Sequence, residues 1–494
     1  MNSISKILKE SSFNFIGTIV GNILGYVWLT IMIRVFSQED FGSFTLAQSI
    51  INISLVFVLL GIHLSLDRYI PFFNATQEYG KIKSLLKNVL IFVTISSIIV
   101  CSILYAISPI FGNLIFDNAT LVDILPIVIL TIPFLALIMV VIFAFGGYKN
   151  LRFRVYLRHI LEPGLRIGIT LLVIIYTLSI IQWTWFYLAA VIITALVGLW
   201  ALAVKIFQPL KKYQSIPVNM AEIFSYTWPM SISGVLMILV GQIDFIVLGI
   251  YNPASDIGIF RVYIQIIVIL KLGLDSMSRI YKPVISEMII KDDINEVNIT
   301  YQKSAKWILL STTLALLMII LFGDQLTALL FTEAYTISIT ALMILAAGAF
   351  LKSIFGLGSM TLEAFGNTKL IFINSLCLIV TNLSLDLILI PDLGLVGAAI
   401  AAGTTMVVAG LLGSIEIYYL YKMQPISINT FKILIIGGLT GVLMYFMWNL
   451  MPKTNLLLIL MIAATAIIFF LGVLASRIMD KDDLEVFSGL KRPR

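Results

Sequence analysis

Charge is what this chain has least of: Asp, Glu, Lys and Arg make up 12% of its 494 residues, about half the share of a typical soluble domain. Histidine occurs only as His63 and His159, and cysteine only as Cys101 and Cys377, both inside apolar runs. Neither a disulfide framework nor a metal site is expected from so few ligands. There is no P-loop, no Gly-x-Ser-x-Gly and no His-Glu-x-x-His. These absences argue against an ATP-driven pump and a metal enzyme, and no cofactor is expected. Any transport has to draw on an ion gradient or on the substrate's own gradient.

What fills the sequence instead is apolar: 60% of residues are hydrophobic and the mean hydropathy is +1.05. That composition describes an all-α membrane protein crossing the bilayer many times. At about 20 apolar residues per span, about fourteen transmembrane helices are expected, near 13–33, 43–66, 88–109, 123–145, 163–181, 184–205, 223–250, 257–280, 304–323, 337–360, 368–390, 395–420, 431–450 and 455–476. The first run follows Lys6 and Lys9 but is long enough to span and lacks a small-residue cleavage site, so it is expected to be retained.

The net charge of +6 sits in loops. Arg68–Lys87, Lys149–Arg166, Lys205–Lys212, Lys282–Lys306, Lys369, Lys422–Lys432 and the tail from Arg477 all fall on one side, and the other side carries only Arg34 and Lys453. By the positive-inside rule both termini are expected in the cytoplasm. The excess charge thus reports topology and implies no nucleic-acid partner. The basic run Lys149, Arg152, Arg154, Arg158 and Arg166 either attracts anionic lipid headgroups or simply fixes orientation.

An internal duplication is legible. Gly25, Asp40, Gly42 and Phe44 recur at a fixed offset as Gly241, Asp256, Gly258 and Phe260, and Ala144-Phe145-Gly146 recurs as Ala364-Phe365-Gly366. Six helices separate the copies, so they insert the same way up as parallel repeats about an axis along the membrane normal. The expected organisation is a six-helix bundle over 1–215, a second over 216–425, two additional helices within 426–478 and a tail over 479–494.

Charges inside spans are the candidate functional residues, because each costs roughly 2.5 to 3.5 kcal/mol at the centre of a membrane helix. They concentrate between Met230 and Pro283: Asp244 on one run, then Arg261, Gln265, Lys271 and Asp275 on the next. At about 100° per residue the last four share one face. Either that face lines a water-filled pathway, or Lys271 and Asp275, spaced i and i+4, neutralise each other while Arg261 snorkels. Lys352 is a further cation, lying toward the end of its helix. Asp244 either binds a coupling cation or pairs with a basic residue, and Asp275 is a second coupling candidate. Asp67-Arg68 either admits an anionic headgroup or merely ends a helix, and Asp386 is expected at the interface. Pro229, Gly234 and Gly241 permit a bend.

Four stretches carry a resemblance. Arg34–Gly42, Gln242-Ile243-Asp244 with Gly249-Ile250-Tyr251 and Gly258-Ile259-Phe260, Phe331–Tyr335 and Leu389–Ala402 resemble the polysaccharide biosynthesis flippases. These are the O-antigen and lipid-linked oligosaccharide transporters of the multidrug/oligosaccharidyl-lipid/polysaccharide superfamily. The resemblance implies two six-helix bundles around an alternately opening cavity, with two extra helices, in the plasma membrane. It also implies a non-enzymatic function, moving a polyprenyl-(pyro)phosphate-linked oligosaccharide to the outer leaflet. Arg261, Lys271, Lys352, Asp67 and Arg68 become candidate substrate contacts, and Asp244 and Asp275 candidate ion-coupling groups. The implied partners are the lipid-linked glycan, membrane lipids, a coupling cation, and a glycan polymerase or glycosyltransferases. The chain departs from the pattern at Ser37-Gln38-Glu39, where the family usually has proline, and at Arg261-Val262-Tyr263, where it is usually alanine-rich. A multidrug antiporter of the same superfamily would favour an acidic cavity, and a membrane glycan polymerase would need a larger outer loop than this chain has.

Overall fold

In hydrocarbon each unpaired backbone N–H or C=O costs several kcal/mol, and an α-helix satisfies both within one segment. The computed structural model describes residues 3–336 and 338–479, and among these there is no strand. The expected tail lies, from residue 480 on, outside the described residues.

The helices are α1 Ser3–Val35, α2 Gln38–Leu59, α3 Leu64–Ala75, α4 Tyr79–Ile110, α5 Ala119–Ile129, α6 Ile132–Gly147, α7 Leu151–Val155, α8 Glu162–Tyr176, α9 Ile180–Leu202, α10 Gln208–Leu210, α11 Met220–Tyr251, α12 Ala254–Ile290, α13 Ile294–Leu330, α14 Ile339–Phe355, α15 Leu357–Ala364, α16 Thr368–Leu393, α17 Leu395–Tyr421, α18 Ile428–Leu450 and α19 Asn455–Ala475. Thirteen segments are long and apolar enough to span a membrane, and α5 with α6, bent by 47°, makes a fourteenth. These agree with the fourteen expected.

The α5–α6 bend has a local cause. Pro133 has no N–H to give the Ile129 carbonyl, and the Cys101 thiol donates to that carbonyl instead, at 3.6 Å. The run 149–166, expected as a loop, is helical from Leu151, with a π-helical turn Tyr156–Leu161 leading into α8.

Close packing divides the chain into residues 1–259 and 260–494. This line falls beyond the boundary expected at 215, because α11 packs on α2 in the first unit. That unit is organised around an aromatic cluster in which Trp183 stacks on Tyr187 at 5.5 Å and Phe44 meets both edge-on. Two glycines of the repeated motif also meet in it. A Cβ on Gly42 would lie 1.6 Å from the Ala254 carbonyl oxygen, and one on Gly258 would lie 2.8 Å from that of Gln38. Gln38 and Ala254 are related by the same offset as the glycines, so the contact is reciprocal and fits a two-fold relation between the motif copies.

In the second unit α14 and α17 approach through backbone, with a Cβ on Gly348 falling 2.5 Å from the Gly403 Cα. The added helices α18 and α19 pack on α13 around Phe322, Trp448 and Phe469. Asp386, near the end of α16, is fully buried one turn from the buried Asn382 and so faces protein.

Candidate functional site

In the second unit Lys271 and Asp275 lie one turn apart on α12, and Lys352 comes from α14. The Leu274 side chain, between the first two, packs on Gly356, one turn beyond Lys352. Van der Waals contact at that glycine brings the three charges within electrostatic reach of one another. Lys271 and Lys352 are half-buried and Asp275 is exposed. Among the described residues no ion pair within 4 Å ties Lys271 or Lys352 to a carboxylate. The mutual neutralisation of Lys271 and Asp275 is therefore not formed as a contact pair, and the cluster keeps one net positive charge.

Arg261 is half-buried on the same helix. Ten residues at 1.5 Å each separate it from Lys271 by about 15 Å along the helix, nearly three turns. Sequence reasoning grouped these cations on one face, and the structure joins Lys271 to Lys352 rather than to Arg261.

In the first unit the remaining candidates stand apart. Asp244 is 5% exposed on α11 and engaged with neighbouring groups. Asp67 and Arg68 are exposed on α3. The Asp67 carboxylate lies over Gly146, where a Cβ would meet its Oδ1 at 2.4 Å, with Arg154 beyond. Desolvation there raises the Asp67 carboxyl above its ordinary value, and Arg154 pulls it back. The Arg68 guanidinium lies over the Tyr69 ring at 5.7 Å.

One feature lay outside the sequence expectations. Helix α11 continues unbroken through Gly234 and Gly241, and the break falls instead between α2 and α3, where Leu60 and Gly61 have φ of 40° and 74°. A left-handed leucine is strained and persists only where packing enforces it. A cavity of about 420 Å³ opens beside this break, lined by Asn52, Leu59, His63, Met139, Val235 and Gln242 among others. Asn52 donates to Gln242 at 3.4 Å. The His63 ring stands edge-on to Phe143, and its Nδ1 has no partner. Gly61 inside an apolar run was the only sequence signal of this break.

Thirteen or fourteen helical segments long and apolar enough to span, among the described residues, define a multi-pass membrane protein. The match to known sequences narrows this: the chain belongs to the polysaccharide biosynthesis protein family, which it matches over residues 7–289. It is 25% identical over 434 residues to the capsular polysaccharide biosynthesis protein CapF of Staphylococcus aureus, covering 84% of this chain and 99% of that one. It is 24% identical to the probable low-salt glycan biosynthesis flippase Agl15 of Haloferax volcanii over 225 residues, 46% of each protein. Its fold is that of a solved lipid II flippase MurJ in an inward closed conformation, with a TM-score of 0.75 and 16% identity over 93% of this chain and 97% of that one. An inward-facing multidrug resistance transporter of the MOP superfamily is also similar, with a TM-score of 0.68 and 17% identity over 84% of this chain and 99% of that one. The relatives and solved neighbours whose names state a role are flippases and transporters.

Proposed function

We propose that the chain is a plasma-membrane flippase, moving a polyprenyl-(pyro)phosphate-linked oligosaccharide from the inner to the outer leaflet by alternating access, for assembly of a surface polysaccharide or glycoconjugate. The observation that carries this reading is the Lys271–Lys352–Asp275 cluster: two ammonium groups without contact partners, one carboxylate, and a net positive charge on membrane helices. A glycan headgroup cannot enter hydrocarbon cheaply, since each hydroxyl left without a partner costs several kcal/mol. The phosphate linking it to the lipid is the one handle every such substrate shares, and ammonium groups bind phosphate as point charges.

In this reading Lys271 and Lys352 hold the phosphate, and Arg261, about 15 Å along α12, serves a different stage of the passage. Asp67 and Arg68 act where substrate enters from the inner leaflet. Asp244 and Asp275 are the candidates for a coupling cation, and a glycan polymerase or glycosyltransferases act before and after the flippase. The one-sided basic loops favour both termini in the cytoplasm. An organic-cation antiporter is disfavoured by the same net positive charge.

The test is depletion of the protein in its own cells, followed by assay of lipid-linked glycan on each membrane face. Accumulation on the inner face is expected. Normal transfer with a block in polymerisation instead would reject the proposal.

A further inference from the structure

Arg166, grouped by sequence with the basic loop, belongs to the interior of the first unit. It lies on α8, where its Nη2 donates to Glu162 Oε1 at 2.6 Å and to the Tyr187 hydroxyl at 3.4 Å. Its guanidinium lies over the rings of Trp28 and Tyr187, at 5.4 and 5.2 Å from their centroids. Four helices, α1, α2, α8 and α9, contribute to this cluster, with Gln48 donating to Tyr187 at 3.4 Å.

A donor and acceptor tally of the cluster does not close. The Nε of Arg166 and the indole Nε1 of Trp28 are buried without a partner. The Tyr187 hydroxyl accepts from both Arg166 and Gln48, which leaves its own hydrogen undelivered. Three N–H or O–H donors thus lack acceptors, and Glu162 Oε2 takes no hydrogen bond from the protein. Each unmade buried bond costs about 1 to 3 kcal/mol, so three in one cluster mark a place built for something that brings oxygen atoms. The side chains of Arg166 and Glu162 stay 21% and 19% exposed, so the cluster is reachable from one side.

We infer that this cluster binds a neutral sugar residue of the transported glycan. Glu162 already balances the charge of Arg166, so a second anion would be left uncompensated beside a carboxylate. Sugar hydroxyls, which both accept and donate, match three free donors flanked by one free carboxylate oxygen. The assignment rests on the reading of the chain as a lipid-linked glycan flippase and gives that reading a sugar-binding group of its own in the first unit.

The test uses purified full-length protein and two probes, a polyprenyl pyrophosphate carrying one N-acetylhexosamine and the same carrier without sugar. Trp28→Phe and Tyr187→Phe each delete one donor while leaving an aromatic ring beside Arg166. Each variant is expected to weaken binding of the glycosylated probe by about two- to tenfold and to bind the bare carrier as wild type does. Unchanged affinity for the glycosylated probe in both variants overturns the inference and leaves the donors to water. An equal loss for both probes also overturns it, because the donors would then serve the phosphate. A wild type that binds neither probe refutes the flippase reading itself.

Discussion

Replacing Lys271 by Met removes one ammonium group while keeping an unbranched chain of similar length, so the contacts made by Leu274 on Gly356 are undisturbed. A charge pair about 4 Å apart is worth about 4 kcal/mol at an effective dielectric of about 20, and desolvation offsets much of that. Hydrogen bonds to charged groups come out at about 1.5 to 3 kcal/mol net, which is about ten- to a hundredfold in affinity. Lys352→Met should act in the same direction. Asp275→Asn should act in the opposite one, because Asp275 is the cluster's carboxylate and stands one helical turn, about 6 Å, from Lys271. At that distance its repulsion of a bound phosphate is worth at most about 2 to 3 kcal/mol, so its removal should tighten binding several-fold. Binding of polyprenyl pyrophosphate to purified protein across a salt series measures all three, and the wild-type affinity should fall with salt while the Lys271→Met affinity falls less. The reasoning is refuted if Asp275→Asn weakens binding as the lysine variants do, for the three residues would then form a structural ion cluster and not an anion site.

Arg261→Ala combined with Lys271→Ala should give additive losses of glycan export in cells, given their separation of about 15 Å; a shortfall well beyond additivity would mean the two share one phosphate. Asp244→Asn should change the ion dependence of transport in reconstituted vesicles, and an unchanged dependence makes Asp244 a packing residue. Gly42→Ala should destabilise by more than the roughly 1 to 3 kcal/mol typical of overpacking, seen as a lowered melting temperature, because its Cβ would meet the backbone carbonyl of Ala254 at 1.6 Å. Gly241→Ala meets nothing within 4 Å and should be neutral or stabilising by about 0.5 to 1 kcal/mol; similar melting temperatures for the two alanine variants would refute the close approach at Gly42.

The sequence by itself determined the number and order of the membrane helices, because hydrocarbon thickness and the need to pair every backbone group leave a long apolar run one option. It also determined which charges are exceptional, since a lysine within an apolar helix stands out whatever surrounds it. Partnership was decided only by tertiary structure. Lys271 faces Asp275 by helical spacing, yet its second neighbour, Lys352, comes from a helix some eighty residues on, brought in by the packing of Leu274 on Gly356. Arg166 and Arg154 look alike in sequence, yet one is enclosed by Trp28 and Tyr187 while the other lies over Phe143 near Asp67. The helix break at Leu60 and Gly61 likewise needed the fold, because a leucine enters the left-handed region only when its surroundings hold it there. Hydrophobic periodicity is a property of one segment against its solvent, whereas a site is a coincidence of several segments, and no single segment encodes it.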